Sequence, residues 1–129
     1  MNIPSDLKYT ENDEWIRVEG DIGTIGITDY AQEQLSDIVY VEILVSEGET
    51  VSKGDSCATV ESVKAASDVF MPVSGMVVAV NEDLADTPET INSDPYGDAW
   101  MCKIQISDPS ELEALLDSES YQANVEERE

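Results

Sequence analysis

Basic residues are scarce in this sequence, and histidine is absent from it. The 129 residues hold 6 Lys and Arg against 29 Asp and Glu, a formal net charge of −23 at pH 7. Such a chain repels nucleic acid and anionic membranes, because it lacks the cations that neutralise phosphates. We therefore expect no nucleic-acid and no membrane partner. The carboxylates favour partners with basic docking surfaces, and they equally suit solubility or adaptation to high salt.

Cysteines are also few, and the usual catalytic groups are missing. Cys57 and Cys102 lie far apart in the chain and form no CxxC motif. Without histidine, zinc sites, haem sites and Cys–His nucleophiles lack their usual ligands or base. We therefore expect a protein that is not an enzyme. The two cysteines are interpreted as reduced, mostly buried thiols, with a disulfide as the alternative.

Long apolar segments are lacking as well. No run approaches the length of a membrane-spanning helix, and Met1–Asp6 has neither a basic start nor an apolar segment of the kind found in secretory signals. These features predict a cytoplasmic protein, or a mature organellar form without its transit peptide. With 41% hydrophobic residues, the chain suits a single domain over residues 1–129 with one core.

Short strand-like segments separated by glycine turns fill most of the chain. Trp15–Val18 and Ile22–Ile27 flank Gly20 and predict a β-hairpin. Ile38–Val45 is nearly all apolar and β-branched, which predicts a strand covered on both faces. Other elements predicted before the C-terminal part are a short helix from Thr28 or Asp29 to Leu35, a short helical turn over Asn81–Ala85, and strands over Met76–Val80 and Trp100–Ile106.

The C-terminal part carries clear helix signals. Asp108–Glu111 places Asp at a cap, Pro at the first helical position and Glu three residues after the cap. Ser118 is expected to cap a second helix that packs Tyr121 and Val125 against the strands. Many short strands followed by helices over about 109–126 predict a mostly β fold, closed as a small barrel or sandwich.

One lysine stands between two strand-like runs at the centre of the chain. Cys57–Val60 precedes it and Val69–Pro72 follows it, close enough to pair as a hairpin over about 57–72. Pairing would lift Lys64 to an exposed tip, where a primary amine is open to a modifying enzyme and can carry a covalent cofactor. An ordinary solubilising turn lysine is the alternative. Gly75, further on, is assigned to a turn.

The segments around this lysine resemble a known family. Glu61–Asp68, which reads Glu-Ser-Val-Lys-Ala-Ala-Ser-Asp, is similar to the lipoyl-lysine hairpin of glycine cleavage system H proteins, as is the following Pro72–Gly75. Further similar segments are Gly26–Gln32, Asn92–Trp100 and Pro109–Leu112, so the resemblance spans about 7–125. It implies a barrel-sandwich hybrid with short marginal helices and a C-terminal helical segment.

The resemblance implies a shuttle that carries lipoate as an amide on Lys64. Its partners would be glycine decarboxylase, aminomethyltransferase, dihydrolipoyl dehydrogenase and a lipoylating enzyme, and an itinerant carrier is expected to be a monomer. The nearest alternative is an H-like protein that donates lipoate to other lipoyl domains. Biotin is disfavoured, because biotinyl lysines are usually flanked by methionines, whereas Val63 and Ala65 stand here. An unmodified acidic interaction module remains another alternative.

The resemblance also implies roles for polar residues near the lysine. Glu61 would help the lipoylating enzyme to choose its site, with a solvated carboxylate as the alternative. Glu14 and Asp68, with Asn12 nearby, match a cleft against which the loaded arm folds, although each could be an ordinary surface residue. Asp13 departs from the family, which usually has histidine at this position.

Overall fold

The computed structural model describes residues 2–128, in which antiparallel strands form two sheets. Met1 and Glu129, the ends of the predicted domain 1–129, lie outside the described residues. The strands are β1 (Lys8–Tyr9), β2 (Glu14–Glu19), β3 (Ile22–Ile27), β4 (Ile38–Ile43), β5 (Thr50–Val51), β6 (Ser56–Ser62), β7 (Ala66–Phe70), β8 (Gly75–Val80) and β9 (Cys102–Ile106). The larger sheet has the order β1-β2-β3-β9-β8-β5, and the smaller sheet the order β4-β6-β7.

Helices lie between the strands and at the C-terminal end. The α-helices are α1 (Asp29–Leu35), α2 (Thr90–Ser93) and α3 (Ser118–Arg128), and 3₁₀-helices cover Glu82–Ala85 and Pro109–Ala114. Of the two predicted caps, Thr28 and Asp29, it is Thr28 that caps α1, because its side chain accepts a hydrogen bond from the Ala31 N–H. None of the helices within residues 2–128 combines the length and the apolar character needed to cross a bilayer.

The core is built from both sheets. Ile25 and Ile104 of the larger sheet and Val41 and Val60 of the smaller one belong to the same cluster of buried apolar side chains. Each such side chain contributes about 1.5–3 kcal/mol by leaving water. The predicted mostly β, barrel-sandwich architecture with marginal helices is confirmed.

A second, aromatic cluster holds α3 against the larger sheet. Tyr9 of β1 and Tyr121 of α3 stack with ring centroids 4.7 Å apart, and Val125 is buried beside them. The helix does not begin with Ser118 as its cap. Asp117 holds this position, because its carboxylate accepts a hydrogen bond from the Ser120 N–H at 2.8 Å, and the prediction for Ser118 is wrong by one residue.

The prediction that the strand beginning at Ile38 is covered on both faces is wrong. Val39 is 55% exposed, and Tyr40 and Leu44 are 44% exposed. Among the described residues, β4 pairs with β6 alone and so forms an edge of the smaller sheet. The outer face of this sheet meets solvent. The apolar run therefore reflects β propensity more than burial.

Gly75 serves a close approach of backbones, and the assignment to a turn is incorrect. It lies within β8 and pairs with Val51 on one side and Ile106 on the other. A Cβ atom at this position would overlap the carbonyl oxygen of Gln105. Glycine therefore allows β8 and β9 to pack at their observed spacing.

Candidate functional site

The lysine predicted at a hairpin tip lies in the turn between β6 and β7. Its geometry depends on Ser62, the last residue of β6. The Ser62 hydroxyl accepts hydrogen bonds from the N–H groups of Lys64 (3.1 Å) and Ala65 (2.9 Å), and it donates one to the Ala65 carbonyl (3.0 Å). The backbone bond from Ser62 N–H to Ala65 C=O, 2.7 Å long, closes the turn. The hairpin prediction is confirmed.

The turn is also fixed from outside by the segment that joins α1 to β4. The Val63 N–H donates to the Asp37 carbonyl at 3.0 Å. The exposed Lys64 side chain reaches the last turn of α1, where its Nζ donates to the Gln34 carbonyl at 3.3 Å. The amine is therefore solvent accessible, while the backbone beneath it is held at several points.

A cavity of about 140 Å³ lies between α1 and the strands of the lysine hairpin. Gln34, whose carbonyl accepts the Lys64 bond, is one of its walls. The others include apolar side chains and two of the residues predicted from the sequence, Asn12 and Asp68. Its lining residues are Asn12, Asp13, Ile27, Ala31, Gln34, Leu35, Val60, Ser67, Asp68 and Val69.

Glu14 is buried, and it lines another cavity than Asp68 does. Its side chain is only 2% exposed, and its carboxylate accepts hydrogen bonds from the Thr10 hydroxyl (2.6 Å) and the Phe70 N–H (3.2 Å). Burial raises the pKa of Glu14, and these two hydrogen bonds partly offset the rise. Glu14 lines a larger, open cavity of about 500 Å³ rather than the one that holds Asp68. Asn12 borders both.

Glu61 and Asp68 share the outer face of the smaller sheet. In antiparallel pairs, residues directly opposite each other point to the same side. Tyr40 of β4 is opposite Glu61, while Thr59 lies between its partners Glu42 and Asp68. Glu61 and Thr59 are two residues apart on β6, so their side chains point to the same side of the sheet. The pair of Tyr40 with Glu61 and the row of Glu42, Thr59 and Asp68 therefore lie on one face. Three carboxylates and one half-exposed tyrosine ring thus share this outer face, on which Glu61 lies three residues before Lys64.

Asp13, the departure from the family pattern, has a structural partner. It adopts φ 69°, and its carboxylate forms an ion pair with Arg128 of α3 at 2.7 Å. The Tyr121 hydroxyl donates to the same carboxylate at 2.9 Å and lies 2.7 Å from the hydroxyl of Thr28. Asp13 therefore anchors the C-terminal helix beside the cavity wall.

Two residues that shape the site were missed by the sequence analysis. Ser62 carried a recognisable signal, since serine hydroxyls commonly bond to backbone groups two or three residues further along. Gln34 carried none, because its contact with Lys64 joins residues 30 positions apart. Only the packing of α1 against the hairpin reveals it.

The fold and the site together define a class: mostly β carrier proteins that present one lysine on a hairpin turn. The model of the family described as glycine cleavage H-protein matches residues 7–128. The chain belongs to this family of lipoyl carriers.

Relatives match over the full length of the chain. It is 54% identical over 129 residues to a glycine cleavage system H protein of Anaeromyxobacter sp. (strain K), covering 100% of both chains. It is 56% identical over 127 residues to one of Pseudoalteromonas atlantica, covering 98% of each. The crystal structure of a Mycobacterium marinum glycine cleavage system H protein superimposes with a TM-score of 0.86 at 41% identity. That comparison covers 96% of this chain and 99% of the other.

Proposed function

We propose that the chain is a single carrier domain of the glycine cleavage system, with lipoate attached through an amide to Lys64. The supporting observation is an exposed amine on a turn that Ser62 and Asp37 hold in place. The domain would receive the aminomethyl group from glycine decarboxylase, deliver it to aminomethyltransferase and be reoxidised by dihydrolipoyl dehydrogenase. It would be a non-catalytic, cytoplasmic monomer.

The residues present fit this cofactor. Acylation of Lys64 removes its charge but leaves one N–H on Nζ, which can still donate to the Gln34 carbonyl that the amine contacts now. Ala65 and Ala66 add little bulk beside the attachment point, so a ligase can reach it. When bound, the lipoyl group would supply a disulfide that can be reduced and can carry a group on one of its sulfur atoms.

The chain's own contribution would be position and protection. We propose that the cavity between α1 and the lysine hairpin receives the end of the loaded arm, and that Asp68, which borders this cavity from the outer face of β7, would stabilise a protonated amine at its rim. The apolar walls at Leu35 and Val60 would limit access of water. Glu14 would act as a positioning residue here, because it holds Phe70 of β7 and does not line the 140 Å³ cavity. Asn12 would border the entrance from the second cavity.

The carboxylates beside the turn support recognition by enzymes with basic surfaces. Glu61 lies three residues before Lys64 and on the same exposed face as Glu42 and Asp68. We propose that the lipoylating enzyme contacts Glu61 when it selects this lysine. The charges would mainly raise the rate of encounter, an effect that weakens with salt.

Intact-mass measurement of the protein from a lipoylation-competent host tests the proposal. The expected result is the mass increment of one lipoyl amide, mapped to Lys64 by peptide sequencing. The control is Lys64→Arg, which keeps the charge and the fold but cannot be acylated, and which should support no glycine–carbon dioxide exchange. An unmodified wild-type mass, or full exchange by the arginine variant, would contradict the proposal.

The second candidate, a donor of lipoate to other lipoyl domains, uses the same lysine. Glycine turnover distinguishes the two. A lipoylated protein that transfers its lipoyl group to another domain and fails in reconstituted glycine cleavage would favour the donor role.

A further inference from the structure

The two cysteines, which the sequence separates widely, meet in the core. The Sγ atoms of Cys57 and Cys102 lie 3.5 Å apart, and both side chains are fully buried. Cys57 belongs to β6 of the smaller sheet and Cys102 to β9 of the larger one. The pair therefore joins the two sheets across the core, and one of its members lies on the strand that leads to Lys64.

The thiols are reduced in this structure, since a covalent S–S bond measures about 2.05 Å. Small apolar packing is the ordinary role of a buried cysteine, and it accounts for either residue alone. Packing alone does not require that the two sulfur atoms, which belong to different sheets, face each other at 3.5 Å. Closing the gap requires a movement of about 1.5 Å, which rotation about the side-chain bonds can supply in part.

We infer that Cys57 and Cys102 form a reversible disulfide under peroxide stress, which braces the two sheets against each other. The inference does not depend on the proposed carrier role. Hydrogen peroxide first oxidises one thiol to a sulfenic acid and releases water. The second thiol then attacks this sulfur and releases another water. Two thiols and one peroxide thus give one disulfide and two waters. A small dithiol reverses the reaction by exchange.

Burial makes this oxidation selective. The hydrogen bond from Cys102 and the buried surroundings raise the pKa of the Cys57 thiol well above its ordinary value. The thiolate is therefore rare, and reaction waits for local opening of the sheets. A small oxidant can use such an opening, whereas a bulky disulfide reagent enters far more slowly. The Cys57–Cys102 disulfide should therefore form over many minutes rather than seconds.

The expected consequence is higher thermal stability of the oxidised form. A cross-link between these two positions closes a long loop and so restricts the unfolded chain. For a protein of this size we expect the melting temperature to rise by about 5–15 °C on oxidation. Hydrogen exchange of β6 and β9 should slow at the same time.

The test uses the full-length protein, reduced and then incubated with hydrogen peroxide. A protease that cuts after acidic residues separates the cysteines at Glu61 and Asp68, whether or not Lys64 is acylated. Non-reducing peptide mapping should then show the Cys57–Cys102 bridge, and melting curves should show the rise and its reversal by dithiothreitol. Cys102→Ala and Cys57→Ala are the matched controls, and neither should gain stability on oxidation.

The inference fails if the wild type keeps two thiols, or if it proceeds to sulfinic acids without a bridge. It also fails if the bridge forms but the melting temperature falls, because the sheets would then be strained apart. If either alanine variant fails to fold, the wild-type mapping and its reversal still decide the outcome.

Discussion

The guanidinium of Arg128 donates two hydrogen bonds to the carboxylate of Asp13, at 2.7 and 3.2 Å. It also lies 5.0 Å from the ring centre of Tyr30. The last turn of α3 is therefore tied both to α1 and to the segment before β2. This pair offsets the cost of the left-handed backbone conformation at Asp13, where φ is 69°.

Removing either partner of this ion pair should lower the free energy of unfolding modestly. The effects of the two substitutions should be coupled. Asp13→Asn and Arg128→Gln are each expected to lower the free energy of unfolding by about 0.5–1 kcal/mol, because the pair is only partly shielded from water. In a double-mutant cycle by urea denaturation, the combined loss should be smaller than the sum of the single losses. Strict additivity would show that the observed pair contributes nothing.

The Ser62 hydroxyl should affect the rate at which Lys64 is lipoylated more than it affects the stability of the fold. Ser62→Ala removes three hydrogen bonds within the turn, so the backbone around Lys64 becomes mobile. We expect slower lipoylation by at least several-fold, at nearly unchanged melting temperature. Ser67→Ala, on the neighbouring strand, is the matched control. Equal lipoylation rates for the two variants would exclude a role for the Ser62 network.

The charge of Glu61 should affect the rate of lipoylation more than the other charges on the outer face of the smaller sheet do. Glu61→Gln and Glu42→Gln each remove one carboxylate from the outer face of the smaller sheet. If the lipoylating enzyme contacts Glu61, its substitution should lower kcat/KM about tenfold, and that of Glu42 by less than threefold. Initial rates at low and high salt provide the measurement. Identical effects would mean that only total charge is sensed.

Burial of Glu14 predicts a particular pH dependence of stability. The folded chain retains a proton on Glu14 at pH values where the unfolded chain, with the ordinary pKa of 4.5, has lost it. The stability of the wild type relative to Glu14→Gln should therefore fall as pH rises from about 4.5 through the raised folded value. Glu42→Gln removes an exposed charge and serves as the reference. A flat difference in unfolding free energy between pH 4 and 7 would contradict the argument.

Gly75 is expected to tolerate no side chain. Gly75→Ala places a methyl group against the Gln105 carbonyl and should cost about 2–3 kcal/mol, because the overlapping group is backbone. Gly48→Ala is the control: its φ is +88°, but nothing lies near the added atom, so a loss of about 1 kcal/mol is expected. Equal losses in chemical denaturation would show that the backbones of β8 and β9 can separate.

Local signals predicted the strands and the hairpin, because alternation and turn residues act over a few positions. The tip position of Lys64 and the cap at Thr28 follow from such signals. The pairing of Cys57 with Cys102 and the contact of Lys64 with Gln34 do not, since each joins strands or helices brought together only by the fold. Glu14 shows the same limit: the family resemblance places it in one cleft with Asp68, whereas its carboxylate bonds to Phe70 of β7 on the wall of another cavity.

The irregular pairing of β4 with β6 between Ile38 and Tyr40 bears on behaviour at high concentration. A flat, apolar strand at a sheet margin invites the same strand of another molecule to add to it. Here the irregular pairing twists this edge, and the side-chain oxygen of Asn92 accepts a hydrogen bond from the Ile38 N–H. Glu42, on the same strand, repels a second copy. Crowded solutions of this protein should therefore resist fibril growth, even though Val39 and Tyr40 lie open to water.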